Sequence, residues 1–483
     1  MTNKQNQTEN VFNFKRTLLS VLTIYIIVVV GFYYLAEDQI RYRESRGNIE
    51  MPIAENGIVE LTEGTIVEQV FVPWIQRLES VSVQFGTYYR NNSGTVTIEL
   101  SREDTNELLM NGSFSASQIE EGQILTISSI KPIESVATKT LILRITADSS
   151  PGEAVVPLSC KKEQGNGILR VNGETVDGSL CFSAYGTDYV WTGLHYWKLA
   201  FMFGLVLILS LNVILIRWSK GKRSYIISAI IEIKKYKFLI RQLVSRDFKT
   251  KYKRSVLGVF WSFLNPLMMM TVQYIVFSTL FKSDIPDFAA YLIIGTVMFN
   301  FFSESCSMTL TSILGNSGLI TKVYMPKYIY PLTRTLSSMV NLFISIIPMM
   351  IVCIVTGVEL HKSMVLSLYF FICLVVFCLG MGLLLATSMV FFRDTQFLWG
   401  VISMIWMYAT PIFYPESIVP ETIRKVIFLN PLYHFIKNAR ICLIDGISPE
   451  PRAYVLCLCI SLGMLFIGAF IFCKKQDEFV LYV

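Results

Sequence analysis

Charge is what this 483-residue chain has least of: Asp, Glu, Lys and Arg make up 16% of it, against 53% hydrophobic residues. A soluble globular protein carries about 25% charged residues, so the polar share here is too small for a water-facing surface. That excludes a soluble enzyme, a disordered regulator and a secreted disulfide scaffold as readings of the whole chain. Histidine occurs only at His195, His361 and His434, and no CxxC pair occurs; no zinc or haem site is legible. No GxxxxGK[ST] occurs, and Gly221-Lys222 lacks the upstream glycine. Without that phosphate-cradling loop the chain cannot bind ATP in the P-loop manner. ATP held in that manner, with its Mg, would have to sit on a separate chain. Of the ten cysteines, eight lie in or beside apolar runs, where unpaired Cys behaves as a small buried hydrophobe.

What is present is membrane. A bilayer core of about 30 Å needs about 20 mostly apolar residues in a helix. Such runs occur at Thr17–Ala36 and Trp197–Ile216. They recur at Phe263–Phe281, Phe288–Met308, Leu336–Thr356, Val365–Phe392, Phe397–Tyr414 and Tyr454–Phe472. The count predicts eight spans, the first an uncleaved anchor because no small-residue cleavage site precedes Glu37-Asp38. Between Arg217 and Ser255 stand thirteen Lys/Arg against two acids, which favours the cytoplasm. Parity then places both termini inside, and 37–196 and 415–453 outside. The chain divides as 1–36 anchor, 37–196 extracytoplasmic domain, 197–216 second span, 217–255 basic segment and 256–483 transmembrane core.

In the outside insert, VSVQFGTYYR, TVTIEL, LLMNGSF, QILTISSI and TLILRITAD alternate with period two between Asn/Gly/Ser/Asp turns. This pattern predicts an antiparallel β-sandwich. Trp74, Tyr88, Tyr89 and Arg90 suit stacking on sugar rings, and each equally suits a sandwich core. Cys160 and Cys181, the two cysteines of the insert, stand in an oxidising compartment, and turn glycines between them suit a disulfide; two unpaired thiols are the alternative. The run PWIQRLESVSVQFGTYYRNNSGTVTIEL, Pro73–Leu100, resembles jelly-roll-like modules appended to bacterial surface-polysaccharide membrane proteins.

Further on, YKFLIRQLVSRDFKTKYKR spaces Phe238, Leu239, Leu243 and Phe248 on one helical face among Lys and Arg. A basic amphipathic helix of this kind lies along the inner membrane surface, in contact with lipid. From here the chain resembles the permease subunit of ABC-2 polysaccharide exporters of the O-antigen and teichoic-acid type. LVSRDFKTKYKRSVLGVFWSFLNPLMMM, GNSGLITKVYMPKYIYPLTR, FRDTQFLWG, TPIFYPESIVP, NPLYHFIKNAR and KKQDEFVLYV carry the resemblance, in order, over residues 230–483. It implies a gating amphipathic helix with Arg246, Asp247, Lys249, Tyr252 and Arg254. It also implies an ATPase-coupling knob of Lys322, Tyr324, Met325, Pro326, Lys327 and Tyr328. Short re-entrant helices around Pro411, Pro415 and Pro420 are implied at the exit.

The implied assembly has two permeases and two ATP-binding subunits in the plasma membrane, and its substrate is a lipid-linked polysaccharide. Nucleic acid has no place in it. Phe299, Phe302, Trp399, Trp406 and Tyr408 are candidates for the translocation path, though most aromatics in spans face lipid or neighbours. Arg393-Asp394 reads either as a functional pair or as a marker of headgroup level. An ABC-2 exporter of small lipids or drugs shares the fold. A membrane glycosyltransferase is disfavoured by the absence of a DxD pair, and a sugar receptor leaves the core spans unexplained.

Single reporter cysteines test the layout. Those placed in 217–255 and 474–483 are expected to resist impermeant thiol reagents in intact cells, and those in 90–150 to label. Labelling of 217–255 from outside overturns it.

Overall fold

The computed structural model describes residues 14–36, 40–46, 54–160, 167–219, 225–253, 255–281, 287–320, 325–416 and 419–482. Lys322, Tyr324 and Arg254 lie outside them. The chain forms two units, one of residues 38–196 and one of 1–37 with 197–483. It is a polytopic helical membrane protein with a separate all-β domain.

The β unit is a sandwich of two antiparallel sheets. The strands are β1 (Tyr42–Arg46), β2 (Asn56–Gly57), β3 (Ile66–Phe71), β4 (Arg77–Gly86), β5 (Thr95–Arg102), β6 (Leu108–Ser115), β7 (Ile124–Glu134), β8 (Leu141–Ala147), β9 (Val156–Cys160), β10 (Ile168–Val171), β11 (Glu174–Val176), β12 (Ser179–Leu180) and β13 (Phe182–Tyr189). One sheet is ordered β1-β13-β4-β9-β12, with β2 on β9 and β7 on β4; the other is β11-β10-β3-β8-β5-β6. The alternation in TVTIEL does what period two requires: Val96, Ile98 and Leu100 are buried against Val81, Val83 and Phe85 of the facing sheet. Phe71 meets Phe182 edge to face at 4.9 Å.

Two groups of candidate residues in the insert have a place in the sandwich. Cys160 and Cys181 are both buried and neighbour one another. The Cys160 Sγ donates toward the carbonyls of Ser179 and Leu180 at 3.6 and 3.7 Å, so it sits on backbone oxygen within the β9–β12 pair. Burial, and then the neighbouring Cys160, push the Cys181 thiol up to about 12. The four aromatic and basic candidates do not converge. Trp74 precedes β4 and Tyr88–Arg90 follow it, and a ten-residue strand separates its ends by about 33 Å. Tyr88 and Tyr89 take left-handed φ of 52° and 56°, a conformation costing a non-glycine residue about 1–2 kcal/mol.

The helical unit contains α1 (Phe14–Ala36), α2 (Tyr196–Ser219), α3 (Tyr225–Lys235), α4 (Lys237–Tyr252), α5 (Phe260–Phe281), α6 (Phe288–Leu310), α7 (Ile329–Val355), α8 (Ser367–Phe391), α9 (Thr395–Ala409), α10 (Glu421–Phe428), α11 (Pro431–Leu443), α12 (Pro451–Lys475) and α13 (Phe479–Tyr482). Among the described residues seven helices are long and apolar enough to cross a membrane, not eight. The expected seventh span is α9, whose 15 residues reach about 22 Å. Thr410 leaves the helical region and Pro411 follows it, which ends the run early.

α1 lies beside α2 through the Tyr25 hydroxyl on the Ala200 carbonyl at 2.5 Å. It also meets α12 through Phe32 on Tyr454, ring centroids 5.1 Å apart. The tightest crossing is α8 on α12. A Cβ at Gly468 would collide with the Gly380 carbonyl, and one at Gly380 with the backbone of Met464 and Leu465. Small residues let membrane helices approach this closely.

Gly468→Ala is therefore expected to lower the melting temperature of the solubilised protein, at a cost of about 1–3 kcal/mol from overpacking. Gly463→Ala, on the same helix with nothing within 4 Å, is the silent control in the same thermal scan. Equal melting of the two variants would contradict the crossing.

Candidate functional site

Two polar clusters are built into the helical unit, near the two ends of α6. The first surrounds the amphipathic helix α4. Asp247 is 5% exposed in its side chain and pairs with Arg334 of α7 at 3.0 Å and Arg246 at 3.2 Å. It also accepts from the Ser337 hydroxyl at 3.3 Å. Arg246 reaches on to Asn316 Oδ1 at 3.2 Å. One turn later Lys251 pairs with Glu304 of α6 at 2.6 Å. The same carboxyl oxygen accepts from Asn341 Nδ2 at 2.7 Å, and the Tyr252 hydroxyl donates to Asn341 Oδ1 at 3.1 Å and contacts Ser262. A buried carboxylate needs such partners. Four of the basic-helix candidates thus have a place: the side chains of Asp247 and Tyr252 bond into the bundle, Arg246 is exposed yet reaches Asp247 and Asn316, and Lys249 is exposed.

The described part of the coupling segment continues this end. Met325 is buried with Ile240, Ile313, Ile329 and Phe479, because an apolar side chain finds a ready pocket between α4, α7 and α13. Lys327 Nζ donates to the Gln476 carbonyl at 2.5 Å, and the Tyr328 hydroxyl donates to Glu232 of α3. Burial first, and then that hydrogen bond, raise the Tyr328 phenol above its ordinary value, so it stays a donor at neutral pH. Arg393 and Asp394 are exposed in the turn between α8 and α9.

The second cluster sits where the chain breaks after α9. Arg440, on α11, is buried, and its guanidinium bonds only carbonyl oxygens among the described residues. Its Nε and Nη2 donate to Tyr291 O at 3.1 and 2.9 Å, Nη1 to Pro411 O at 2.7 Å, and Nη2 to Ile412 O at 3.1 Å. The cation also lies 3.3 Å from the Tyr291 ring centroid, a cation–π geometry. The Tyr291 hydroxyl donates in turn to Pro411 O and Tyr414 O at 3.2 and 3.0 Å.

Asn430 completes the break. As N-cap of α11 it accepts from Leu432 N at 3.0 Å, with Pro431 in the first turn, the favoured order for a helix start. It also accepts from Trp406 Nε1 at 2.7 Å and donates to Thr410 Oγ1 at 2.7 Å. Sequence reading missed Arg440 and Asn430, because NPLYHFIKNAR reads as a polar loop. The Asn-Pro start was the available signal.

Between the clusters lies aromatic packing. Phe302 is ringed by Phe299, Trp399, Trp406 and Phe377 at centroid distances of 5.9, 5.8, 5.1 and 6.2 Å. Phe299, Phe302 and Trp399 are buried in this core, where they had been path candidates. Trp406 and Tyr408 line a cavity of about 450 Å³ with Ile402, Tyr414, Val426 and Asn430.

Gly295 leaves room for the guanidinium: a Cβ there would stand 2.5 Å from Arg440 Nη2. Arg440→Gln and Gly295→Ala are each expected to destabilise the solubilised protein, by about 3 kcal/mol for the first, since charged hydrogen bonds are lost and buried carbonyls left unpaired. Thermal unfolding in detergent reads this; wild-type melting in both variants would contradict it.

The comparisons with known proteins fall on this unit. The family model for the ABC-2 type transporter matches residues 239–444, from α4 through α11. The chain is 30% identical over 210 residues to an O-antigen export system permease protein of Klebsiella pneumoniae, covering 43% of this chain and 81% of that one. It is 27% identical over 255 residues to one of Myxococcus xanthus, covering 52% and 98%. It is 22% identical over 249 residues to a polysialic acid transport protein of Escherichia coli, covering 50% and 95%. With almost the full length of such relatives reproduced in its helical unit, the chain belongs to the ABC-2 type transporter family.

Proposed function

We propose that the chain is the permease subunit of an exporter that moves a lipid-linked surface polysaccharide across the plasma membrane. The observation that carries this reading is that the relatives above, whose names specify O-antigen and polysialic acid, align over 81% to 98% of their length. Energy comes from ATP, bound with Mg by a separate ATP-binding subunit, and two permeases act with two such subunits. The termini and the basic segment 217–255 are cytoplasmic, and 37–196 is extracytoplasmic.

In this reading the α4 cluster is the power-receiving end. Force from the ATPase enters at 322–328 and passes through Tyr328 to α3 and through Arg334 to Asp247. The Arg440 cluster and the neighbouring cavity stand at the exit end, where α9, α10 and α11 are all too short to cross. Trp406 and Tyr408 are the path candidates that this placement favours.

Deleting the gene is expected to leave the polymer inside the cell, bound to its lipid carrier, and to clear it from the surface. Complementation restores it. Asp247→Asn is expected to cut surface polymer at least tenfold while the permease still copurifies with its ATPase. Undiminished surface polymer in the deletion strain would sink the export reading; undiminished polymer in Asp247→Asn would sink the role given to α4.

A further inference from the structure

The turn after β4 is built to hold two tyrosines in the backbone conformation that suits them least. Tyr88 and Tyr89 are both left-handed, at φ 52° and 56°, positions where glycine or asparagine stands without strain. Packing does not account for Tyr89, which is 91% exposed, whereas Tyr88, 49% exposed, also packs against its neighbours. Strain that persists where neither fold nor packing needs the side chain points to use of that side chain.

The surroundings hold the turn in place. The Glu121 carboxylate accepts from the Thr87 N–H and hydroxyl, both at 2.8 Å, and from the N–H groups of Tyr88 and Tyr89. The Thr87 hydroxyl foremost, and then these backbone donors, hold the Glu121 carboxyl below its ordinary range. Tyr88 Oη lies so close to Gly57 that a Cβ there would collide with it. Arg90 pairs with Glu60 at 2.5 Å, Glu60 also accepts from Gly152 N at 3.2 Å, and the guanidinium lies 5.7 Å from the Tyr88 ring centroid. The result is two aromatic rings beside an exposed guanidinium–carboxylate pair.

We propose that Tyr88, Tyr89, Arg90 and Glu60 form a glycan-binding site for pyranose units of the exported polymer. The C–H face of a pyranose packs on an aromatic plane, and its hydroxyls suit a pair that offers donors on Arg90 and acceptors on Glu60. Tyrosine gives this contact a large rigid surface at small entropic cost. Glu121 is a positioning residue. Trp74, at the other end of β4, is not part of the site. The identity of the glycan rests on the export reading above.

The test titrates polysaccharide released by mild acid from the surface of the producing cells onto the full-length protein in nanodiscs, followed by tyrosine and tryptophan fluorescence and by calorimetry. Tyr89→Gly removes the ring and relieves the strain, so binding is expected to fall at least tenfold while the melting temperature holds or rises. Tyr89→Phe retains the binding, and Trp74→Ala leaves it unchanged. Equal affinity in wild type and Tyr89→Gly overturns the site. Wild-type protein that ignores the polymer, in cells whose surface polymer vanishes on gene deletion, overturns the site and leaves the export reading standing. A photo-crosslinker at position 89 that captures a protein in place of polymer also overturns it.

Discussion

A buried arginine without a carboxylate in contact organises the helical unit. A cation taken out of water must find its partners in the protein, and Arg440 finds them in carbonyls that a broken helix sets free. The Tyr291 carbonyl can serve because an oxygen has two lone pairs, and because Gly295 presents no side chain there. Pro411 and Ile412 can serve because the chain has left α9. One side chain of α11 therefore fixes the start of α6, the exit of α9 and its own helix. Tyr291 doubles the link by stacking on the guanidinium and bonding the same broken segment.

The other end of α6 is held by opposite chemistry. There Asp247 is a buried carboxylate and Glu304 a part-exposed one, and Lys251, Arg246 and Arg334 bring the charge to them. The long aromatic core around Phe302 separates the two clusters. A pull on α4 thus acts on α6 and α7 together, since Lys251 of α4 and Asn341 of α7 share one carboxylate oxygen of Glu304 on α6.

Spans and sandwich were legible because both rest on runs of burial: TVTIEL buries every second residue, TLILRITAD buries Leu141, Ile142, Leu143 and Ile145, and the long apolar runs reach the length a bilayer needs. What was not legible depends on contacts between distant residues. Nothing in the sequence around Phe302 distinguishes a core aromatic from one facing a path; both are aromatic residues within a span. The packing of Met325 cannot be read from its own short segment, because Phe479, which packs with it, comes from α13 far along the chain. Arg440 sits in a stretch whose polar residues suggest solvent, and its carbonyl partners come from segments far away in sequence. Trp74 and Tyr89 are near in sequence yet separated by a whole strand, which residue spacing cannot reveal without the strand's bounds.

The shortness of α9 has a consequence for the lipid itself. A helix of about 22 Å in hydrocarbon of about 30 Å leaves a mismatch of about 8 Å, which bilayers meet by thinning locally at a fraction of a kcal/mol per Å. Phe397, Leu398, Val401 and Ile405 give this helix an apolar exterior, so the annulus around it is drawn inward and not displaced. Under the export reading proposed above, the barrier to a polar polymer is then lowest beside α9, and the protein shapes its solvent as well as its own path.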